Sequence, residues 1–251
     1  MTPPLTGLVR PPIVEVVCGV KFKPIPALDS LRHGLYWASI RDRFPRAEAH
    51  PLLQNPNARI VSEFPLQRTW FVSADDETVI QLQFDRFYVN WRKRGNAYPR
   101  FDGHAESVYR RFEREFGRFR LFLHTLLDVS PQVEGIELSK VDLVEHPADW
   151  VDIDDLGLMI PRLRSAIRTD EVAQINVNVA TTQPLDDGVL HTGFRTVGTP
   201  SGPKVHAEFQ LATALRDEDL KVCFMQANDR LNAAFLTEFP DAEQRFGTRV
   251  Q

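Results

Sequence analysis

The stretch VIQLQFDRFYVNWRKRGNAYPR, residues Val79–Arg100, decides the fold that we predict for this chain. Apolar residues occupy alternate positions as far as Phe84, and after Asp85-Arg86 they occupy the other parity. A two-residue hairpin loop at Asp85-Arg86 explains this change, because it places all the apolar residues on one buried face. It pairs Phe84 with Phe87, Leu82 with Val89 and Ile80 with Trp91. One long strand with a bulge at the same two residues also explains the change. In both cases the other face carries Gln81, Gln83, Tyr88, Asn90 and Arg92.

Length and composition are those of a globular protein. The 251 residues are 43% hydrophobic and 25% charged, which fits one large domain or two intimately packed halves. We divide the chain into an extended, proline-rich arm over 1–12, a first α+β half over 13–132 and a second over 133–251. The net charge of −4 and the isoelectric point near 6.0 exclude a global field that would attract nucleic acid or an anionic membrane.

The N-terminus and the cysteines predict a cytoplasmic protein. MTPPLTGLVRPP lacks the charged start and apolar centre of a signal peptide, and no uncharged apolar run reaches about 18 residues. Cys18 lies in a predicted strand and Cys223 in a predicted helix, both in apolar surroundings. We therefore expect buried thiols and no disulfide framework.

The first half is predicted to contain a strand, a helix, several strands and a long helix. Ile13–Phe22 is rich in β-branched residues, with Gly19 as a candidate bulge. A helix over 27–44 places Leu28, Leu31, Leu35 and Ala38 at helical spacing, so these four are the expected core face. Residues 46–57 are predicted as a loop, followed by strands near 59–64 and 69–73.

A helix over about 104–127 has the clearest amphipathic pattern. Its arginines are interspersed with glutamates, which favours a solvated face with ion pairs over a surface for nucleic acid. The expected core stripe is Val108, Phe112, Phe116, Phe119, Phe122 and Leu126.

The second half contains the same kinds of element in the same order. Strands are predicted over 133–144, 172–180, 189–197 and 204–215, with a helix over 153–167 that is interrupted or entered at Pro161 and a last helix that begins at Asp217. The repeated order β-α-βββ-α suggests an internal duplication. The predicted fold is α+β, with antiparallel strands and helices packed on one face in a saddle or helix-grip arrangement.

One face of the predicted sheet is rich in amides. Asn176 and Asn178 alternate with apolar residues, and so do His206 and Glu208. Amides donate and accept hydrogen bonds, which suits a peptide backbone or the edges of bases. The alternative is that these side chains bond to one another beneath a covering loop such as 94–102.

A polar-aromatic group follows the central pair of strands. Trp91, Arg92, Tyr98 and Arg100 are residue types that dominate interfaces. The alternative is that Trp91 belongs to the core and that the two arginines pair with acids in 134–137. The predicted binding residues are Gln81, Gln83, Tyr88, Asn90, Arg92, Tyr98, Arg100, Asn176, Asn178, His206 and Glu208.

Chemical motifs are absent from the sequence. It contains no Gly-rich phosphate loop, G-x-S-x-G, H-E-x-x-H or paired C-x-x-C. His206 and Glu208 have the H-x-E spacing of deaminases, but no P-C-x-x-C follows to complete a zinc site. Asp142, Glu145 and His146 could bind a metal or move protons, or form an ordinary loop. We expect no cofactor and no metal, and the absence of motifs leans against an enzyme.

Three motifs together resemble a sporadically distributed, uncharacterised bacterial family of about this length. They are PPIVEVVCGVKF at Pro11–Phe22, VIQLQFDRFYVNWRK at Val79–Lys93 with YPRF at Tyr98–Phe101, and NDRLNAAF at Asn228–Phe235. The resemblance spans nearly the whole chain. It implies a prokaryotic, mobile accessory gene, in keeping with a role in defence, and it implies no reaction or ligand.

Three functions remain open from the sequence. The one we expect is a non-enzymatic binding or adaptor protein that holds a protein or peptide partner on the polar sheet face. The second is a nucleic-acid-binding protein, whose affinity would depend strongly on salt. The third is an enzyme of unfamiliar class with Glu15, Asn90, Arg92 and Glu208 in one pocket, which a cleft that holds a carboxylate of strongly shifted pKa would support.

Overall fold

The computed structural model describes residues 7–53, 62, 64–95, 97–164, 176–199, 202–215 and 219–247. Within these residues the helices are α1 Ser30–Ile40, α2 Val108–Leu127, α3 Ile153–Met159, α4 Leu220–Glu238 and α5 Ala242–Phe246, with a 3-10 turn at Pro161–Leu163. The strands are β1 Ile13–Phe22, β2 Arg46–His50, β3 Arg68–Val72, β4 Thr78–Gln83, β5 Arg86–Arg92, β6 Val133–Glu145, β7 Asn178–Leu185, β8 Gly188–Thr199 and β9 Gly202–Ala214.

The described strands form an antiparallel sheet of nine, in the order β2-β3-β4-β5-β1-β6-β9-β8-β7. The predicted α+β class is therefore confirmed, whereas the internal duplication and the saddle arrangement stay predictions. The chain divides into two compact units. The N-terminal unit comprises Glu15–Leu138 and Thr213–Cys223, and the C-terminal unit comprises Met1–Val14, Ser139–Ala212 and Phe224–Gln251.

β4 and β5 form the predicted hairpin with a different loop. Gln83 pairs with Arg86, so the loop residues are Phe84 and Asp85 rather than Asp85 and Arg86. Every predicted pair is therefore wrong by two positions. The predicted faces are nevertheless correct, because a shift of two residues preserves the alternation of side chains. The loop carbonyls accept hydrogen bonds of 2.9 Å from the Ile25 and Phe22 amides, which fix it to the end of β1.

The buried face of α1 differs from the prediction. His33, Tyr36 and Ile40 are buried, whereas Leu31 and Leu35 are 46% and 45% exposed and Ala38 is also exposed. Tyr36 packs edge-on against Phe71 and Phe119. Burial lowers the pKa of His33 to about 4, and its Nδ1 lies 2.8 Å from Thr69 Oγ1. A neutral, hydrogen-bonded histidine thus occupies a core position that an aliphatic residue was expected to fill.

The aromatic stripe of α2 forms the core of the N-terminal unit, as predicted. Phe119 stacks on Phe87 of β5 with ring centroids 4.7 Å apart. At the C-terminal end of the stripe Leu123 is buried and Leu126 is exposed. The arginines pair with acids, as in Arg110 with Glu113, Arg114 with Glu106 and Arg118 with Glu115, so the predicted ion pairs are present, although Glu115 itself is buried.

β2 occupies residues that were predicted as a loop. RAEAH contains no β-branched or aromatic residue, so its strand conformation comes from pairing with β3 rather than from local preference. The strand predicted near 59–64 falls largely outside the described residues. Cys18 is buried as expected, whereas Cys223 is half-buried.

The core of the C-terminal unit is also aromatic. Phe235 of α4 stacks on Phe239 with centroids 4.5 Å apart and contacts Phe209 of β9 edge-on. In the arm, the Val9 and Arg10 amides donate to the carbonyls of Gly247 and Phe246. The predicted helix start Asp217, residues 172–175 of a predicted strand and 165–167 of a predicted helix lie outside the described residues.

Candidate functional site

Polar side chains line one face of the sheet in the N-terminal unit. The strand registers place Glu48, Trp70, Gln81, Tyr88 and Gly19 in one row across five strands. Because side chains alternate along each strand, the positions two residues away lie on the same face. We call this surface the polar face; its members are Glu15, Gly19, Lys21, Glu48, His50, Arg68, Trp70, Gln81, Gln83, Arg86, Tyr88, Asn90 and Arg92.

The centre of the polar face is a chain of hydrogen bonds between buried and half-buried side chains. Gln81 Nε2 donates to Asn90 Oδ1 at 2.9 Å, and Asn90 Nδ2 donates to Glu15 Oε1 at 2.7 Å. Arg92 Nε donates to the same Glu15 oxygen at 3.2 Å. Asn90 is only 2% exposed. The chain therefore joins β4, β5 and β1 and keeps its amides in fixed orientations.

Gln83 connects the polar face to the backbone that follows β2. Its side-chain oxygen accepts from the Leu53 amide at 2.8 Å, and its Nε2 donates to the Leu53 carbonyl at 3.1 Å. Gln83 Nε2 also lies 2.7 Å from Asp85 Oδ1, whose carboxylate accepts from Arg86 Nε at 3.1 Å. The Gln83 amide thus satisfies the backbone N–H and C=O of Leu53, and it also bonds to Asp85 in the hairpin loop.

Tyr88 packs flat against the backbone of β1. A Cβ atom at Gly19 would lie 1.8 Å from Tyr88 Cδ1, so glycine is required to admit the ring. β1 pairs continuously with β5 through Gly19, which contradicts the predicted bulge. The Tyr88 phenol donates to Glu137, which also pairs with Lys21. Burial and the neighbouring Glu137 raise the pKa of Tyr88 well above its ordinary value, so the phenol keeps its proton.

The predicted binding residues of the N-terminal unit separate into two sets. The first set is buried and hydrogen-bonded, as in the alternative that these side chains bond to one another; it comprises Gln81, Gln83, Tyr88 and Asn90. The loop backbone that bonds to this set is that of Leu53, through Gln83, rather than the predicted loop 94–102. Tyr98 lies on the opposite side, where its ring contacts the core residue Trp91 at 5.4 Å. Arg100 is exposed with φ 62°, and Arg92 pairs with Glu15 rather than with acids of 134–137.

Trp70 stands at the centre of a basic and aromatic group that the sequence reasoning missed. The His50 ring stacks on the indole with centroids 4.0 Å apart. The guanidinium carbons of Arg92 and Arg68 lie 4.9 and 5.6 Å from the indole centroid. The signal in the sequence is that Arg68 and Trp70 occupy alternate positions in RTWFV and so lie on the same face of β3. Together with the neighbouring strands, this alternation indicates a cationic and aromatic face.

Arg68 and Trp70 carry donors without acceptors. Nε of Arg68 and Nε1 of Trp70 are buried, and neither has a hydrogen-bond partner among the described residues. In the same part of the chain no carboxylate lies within ion-pair distance of Arg68. Burial, together with nearby Arg86, lowers the pKa of Arg68 below its ordinary value. Buried N–H groups without acceptors cost free energy, so these two donors are an unusual feature of the described part of the polar face.

Among the described strands, β2 lies at one end of the sheet order, and the ladder geometry identifies which of its backbone groups face away from β3. The Ser73 amide donates to the Thr78 carbonyl, so the odd residues of β3 direct their backbone groups to β4. The even residues of β3 therefore face β2, where the register pairs them with Arg46, Glu48 and His50. The backbone groups of Ala47 and Ala49 consequently point away from the sheet, and both residues are exposed.

The remaining predicted binding residues lie in the C-terminal unit. Asn178 pairs with Arg195 across β7 and β8 and is exposed, as is Asn176. Glu208 accepts from the Ser139 hydroxyl at 3.3 Å. His206 Nδ1 is buried without a partner among the described residues. Burial, then Arg195 and Lys204, lower the pKa of His206, so its ring is neutral at neutral pH.

Two buried ionisable residues, Lys140 and Asp142, lie on the face of β6 opposite to Glu137. Lys140 Nζ donates to Asn228 Oδ1 at 2.7 Å and to Asn232 Oδ1 at 2.6 Å, so β6 is tied to two successive turns of α4. Asp142 follows on the same face and is 2% exposed. Burial raises the pKa of Asp142 to about 7, although Lys140 opposes the shift. Asn228 and Asn232 are spaced by four residues in NDRLNAAF, a signal that sequence reasoning passed over.

Asp142, Glu145 and His146 do not form the acid and imidazole cluster considered from the sequence. Glu145 pairs with Lys204 at 2.5 Å, and His146 Nε2 lies 3.2 Å from the Val151 carbonyl. Alternation along β6 places Asp142 on the other face from Glu145. Within the described residues no group of His, Cys, Asp and Glu has the arrangement of a metal site.

Comparisons with known proteins leave the chain without an assigned relative. No protein-family model, no curated protein and no solved structure matches it. None of the helices in the described part of the chain has the length and apolar character needed to cross a membrane.

Proposed function

We propose that this protein is a non-enzymatic binding or adaptor protein that takes up an extended segment of a partner protein at the free edge of β2. The supporting observation is the outward direction of the Ala47 and Ala49 backbone groups. An extended peptide laid beside β2 would pair with these amides and carbonyls and add a strand to the sheet. The affinity would come from main-chain hydrogen bonds and the specificity from side chains that alternate between the two faces.

The composition of β2 suits strand addition. Edge strands are usually protected by proline, bulges or inward-pointing charges. The two residues of β2 whose backbone groups point away from β3 are alanines. The register with β3 continues without a bulge from Arg46 to His50. By contrast, β7 at the other end of the sheet order contains Pro184, which has no amide hydrogen to donate. β2 is therefore the better edge for a partner.

The polar face supplies the rigidity that such a site requires. The bonds from Gln81 through Asn90 to Glu15 hold three strands in register. Gln83 fixes the segment that leaves β2 through its two bonds to Leu53. A preformed edge reduces the ordering cost of binding, because only the partner segment must become extended. In this proposal the buried amides position the strands, and the partner does not contact them.

The cellular setting belongs to the proposal as well. We place the protein in the cytoplasm of a bacterium, where the resemblance to a sporadically distributed family suits an adaptor in an accessory or defence system. A nucleic-acid partner is the second candidate, and the two guanidinium groups and the imidazole around Trp70 are the feature that favours it. Strong salt dependence would identify that candidate.

Selection from a library of random displayed peptides tests the proposed function. The variants are Ala47→Pro, which removes an outward amide while leaving the backbone groups that face β3 in place, and Ala47→Val as its matched control. We expect wild type and Ala47→Val to enrich the same peptides and Ala47→Pro to lose them by at least tenfold. Equal enrichment by a correctly folded Ala47→Pro protein would contradict strand addition at β2.

A further inference from the structure

Trp70 and Arg68 form an arrangement that goes beyond strand addition. They occupy alternate positions of β3, and His50 is the direct cross-strand partner of Arg68. The Arg68 guanidinium carbon lies 5.6 Å from the indole centroid, and the His50 ring stacks on the indole at 4.0 Å. Two strands therefore bring a cation, an indole N–H and an imidazole to one part of the polar face.

The charges of this group are unbalanced. Each of the neighbouring basic residues on the polar face has a carboxylate partner: Arg86 pairs with Asp85, Arg92 with Glu15 and Lys21 with Glu137. Arg68 has none within the residues that the structure describes. Its buried Nε and the buried Nε1 of Trp70 also lack acceptors there. An unpaired guanidinium in partly desolvated surroundings is stabilised by an anion that supplies acceptor oxygens.

The shape of the donors limits the class of ligand. Guanidinium presents a planar fork of N–H donors that matches two oxygens of a carboxylate or phosphate. The indole adds one neutral donor, and His50 adds a second ring nitrogen beside its 3.4 Å contact with Glu48. Glu48 lies next to Trp70 across the strands and disfavours a ligand of high negative charge placed towards β2.

We propose that Arg68, Trp70 and His50 form a binding site for an oxyanion, a single phosphate or carboxylate group. Arg68 supplies the charge and the forked donors, Trp70 supplies an N–H and holds the guanidinium over its ring, and His50 closes the edge of the site. The oxyanion satisfies donors that the described residues leave without acceptors.

The test is a titration followed by NMR at constant ionic strength. The probes are inorganic phosphate in one arm and a blocked peptide with a single glutamate in the other, and the reporters are the Nε–H signals of Arg68 and Trp70. We expect saturable shifts of both signals in at least one arm. A shift with phosphate alone assigns the site to a free anion, and a shift with the peptide assigns it to an acidic segment.

Variants separate the site from general charge effects. Arg68→Gln should weaken the binding at least tenfold, whereas Arg41→Gln, at an exposed arginine after α1, should leave it unchanged. Trp70→Phe keeps the ring and removes the N–H, so it should weaken binding by a smaller factor and serves if Arg68→Gln does not fold. Absence of saturable shifts in both arms, or equal affinity in wild type and Arg68→Gln, overturns the proposal. The phosphate arm does not involve the edge of β2, so failure of strand addition does not affect it.

Discussion

Replacing Gly19 with alanine tests whether the polar face is packed as a continuous layer. Gly19 lies directly opposite Tyr88 in the pairing of β1 with β5. A Cβ atom there would stand 1.8 Å from Tyr88 Cδ1 and 2.4 Å from Cε1, far inside van der Waals contact. The ring must therefore move, and its phenol must leave Glu137, or β1 must separate from β5.

The magnitude follows from these two losses. Overpacking of a buried position costs about 1–3 kcal/mol. Loss of a hydrogen bond to a charged acceptor adds about 1.5–3 kcal/mol. We expect Gly19→Ala to lower the free energy of unfolding by about 3–5 kcal/mol. Gly34→Ala is the matched control, because an added Cβ at this exposed position of α1 meets nothing within 4 Å and should stabilise the helix by about 0.5–1 kcal/mol.

Urea unfolding monitored by circular dichroism and tryptophan fluorescence measures both variants. A double-mutant cycle with Tyr88→Val then isolates the clash, because removing the ring leaves room for the new methyl group. Gly19→Ala should cost at least about 1 kcal/mol less in the Tyr88→Val background than in wild type. An unchanged unfolding midpoint for Gly19→Ala, or an equal cost in both backgrounds, would refute the reasoning.

Two further predictions concern the buried pair of the C-terminal unit. Because the folded pKa of Asp142 is raised from 3.8 to about 7, its contribution to stability is fully present below pH 3.8 and is lost as the pH rises through 7. We therefore expect the free energies of unfolding of wild type and Asp142→Asn, measured in urea between pH 4 and 8, to diverge by up to about 4 kcal/mol because that of wild type falls as the pH rises. Parallel pH dependences of the two proteins would contradict the raised pKa of Asp142. Lys140→Met should cost about 2–3 kcal/mol, because it leaves two asparagine oxygens and Asp142 without their cation. Lys204→Met is its control, since the partly exposed pair with Glu145 should be worth less than about 1 kcal/mol; equal losses would speak against a special role of Lys140.

The faces of the central hairpin could be predicted from sequence because alternation has a period of two. The loop position could not, since pairing with Phe84 and Asp85 in the loop preserves the same alternation. Bonds from Ile25 and Phe22 to the loop carbonyls favour the observed register, and these residues are distant in sequence. The fold class thus followed from local pattern and the register from tertiary contacts.

Composition misled the prediction where polar residues are buried and apolar residues exposed. His33 and Tyr36 face the core of α1 because Thr69 and Phe71 provide a hydrogen bond and ring contacts. Leu31 and Leu35 were expected there on hydrophobicity alone, and they are exposed. Thr69 and Phe71 belong to β3, and the sequence pattern within α1 does not show that β3 packs against this helix.

The candidate site was only partly accessible to sequence reasoning. The amide row of β4 and β5 was recognised, but its burial depends on bonds to Leu53 and Glu15 from other segments. β2 has no strand-forming residues, so its free edge is a consequence of pairing with β3. Arg68 and Trp70 become a group only when His50 is placed beside them across the strands.

Amide hydrogen exchange of β2 tests strand addition most directly. The measurement compares the exchange rates of the Ala47 and Ala49 amides with and without a peptide selected on the wild-type protein. We predict that both amides exchange rapidly in the free protein and become protected at least tenfold on binding, while the β3-paired amides of Glu48 and His50 change little. Binding that leaves Ala47 and Ala49 unprotected would contradict the proposal and place the partner elsewhere on the protein.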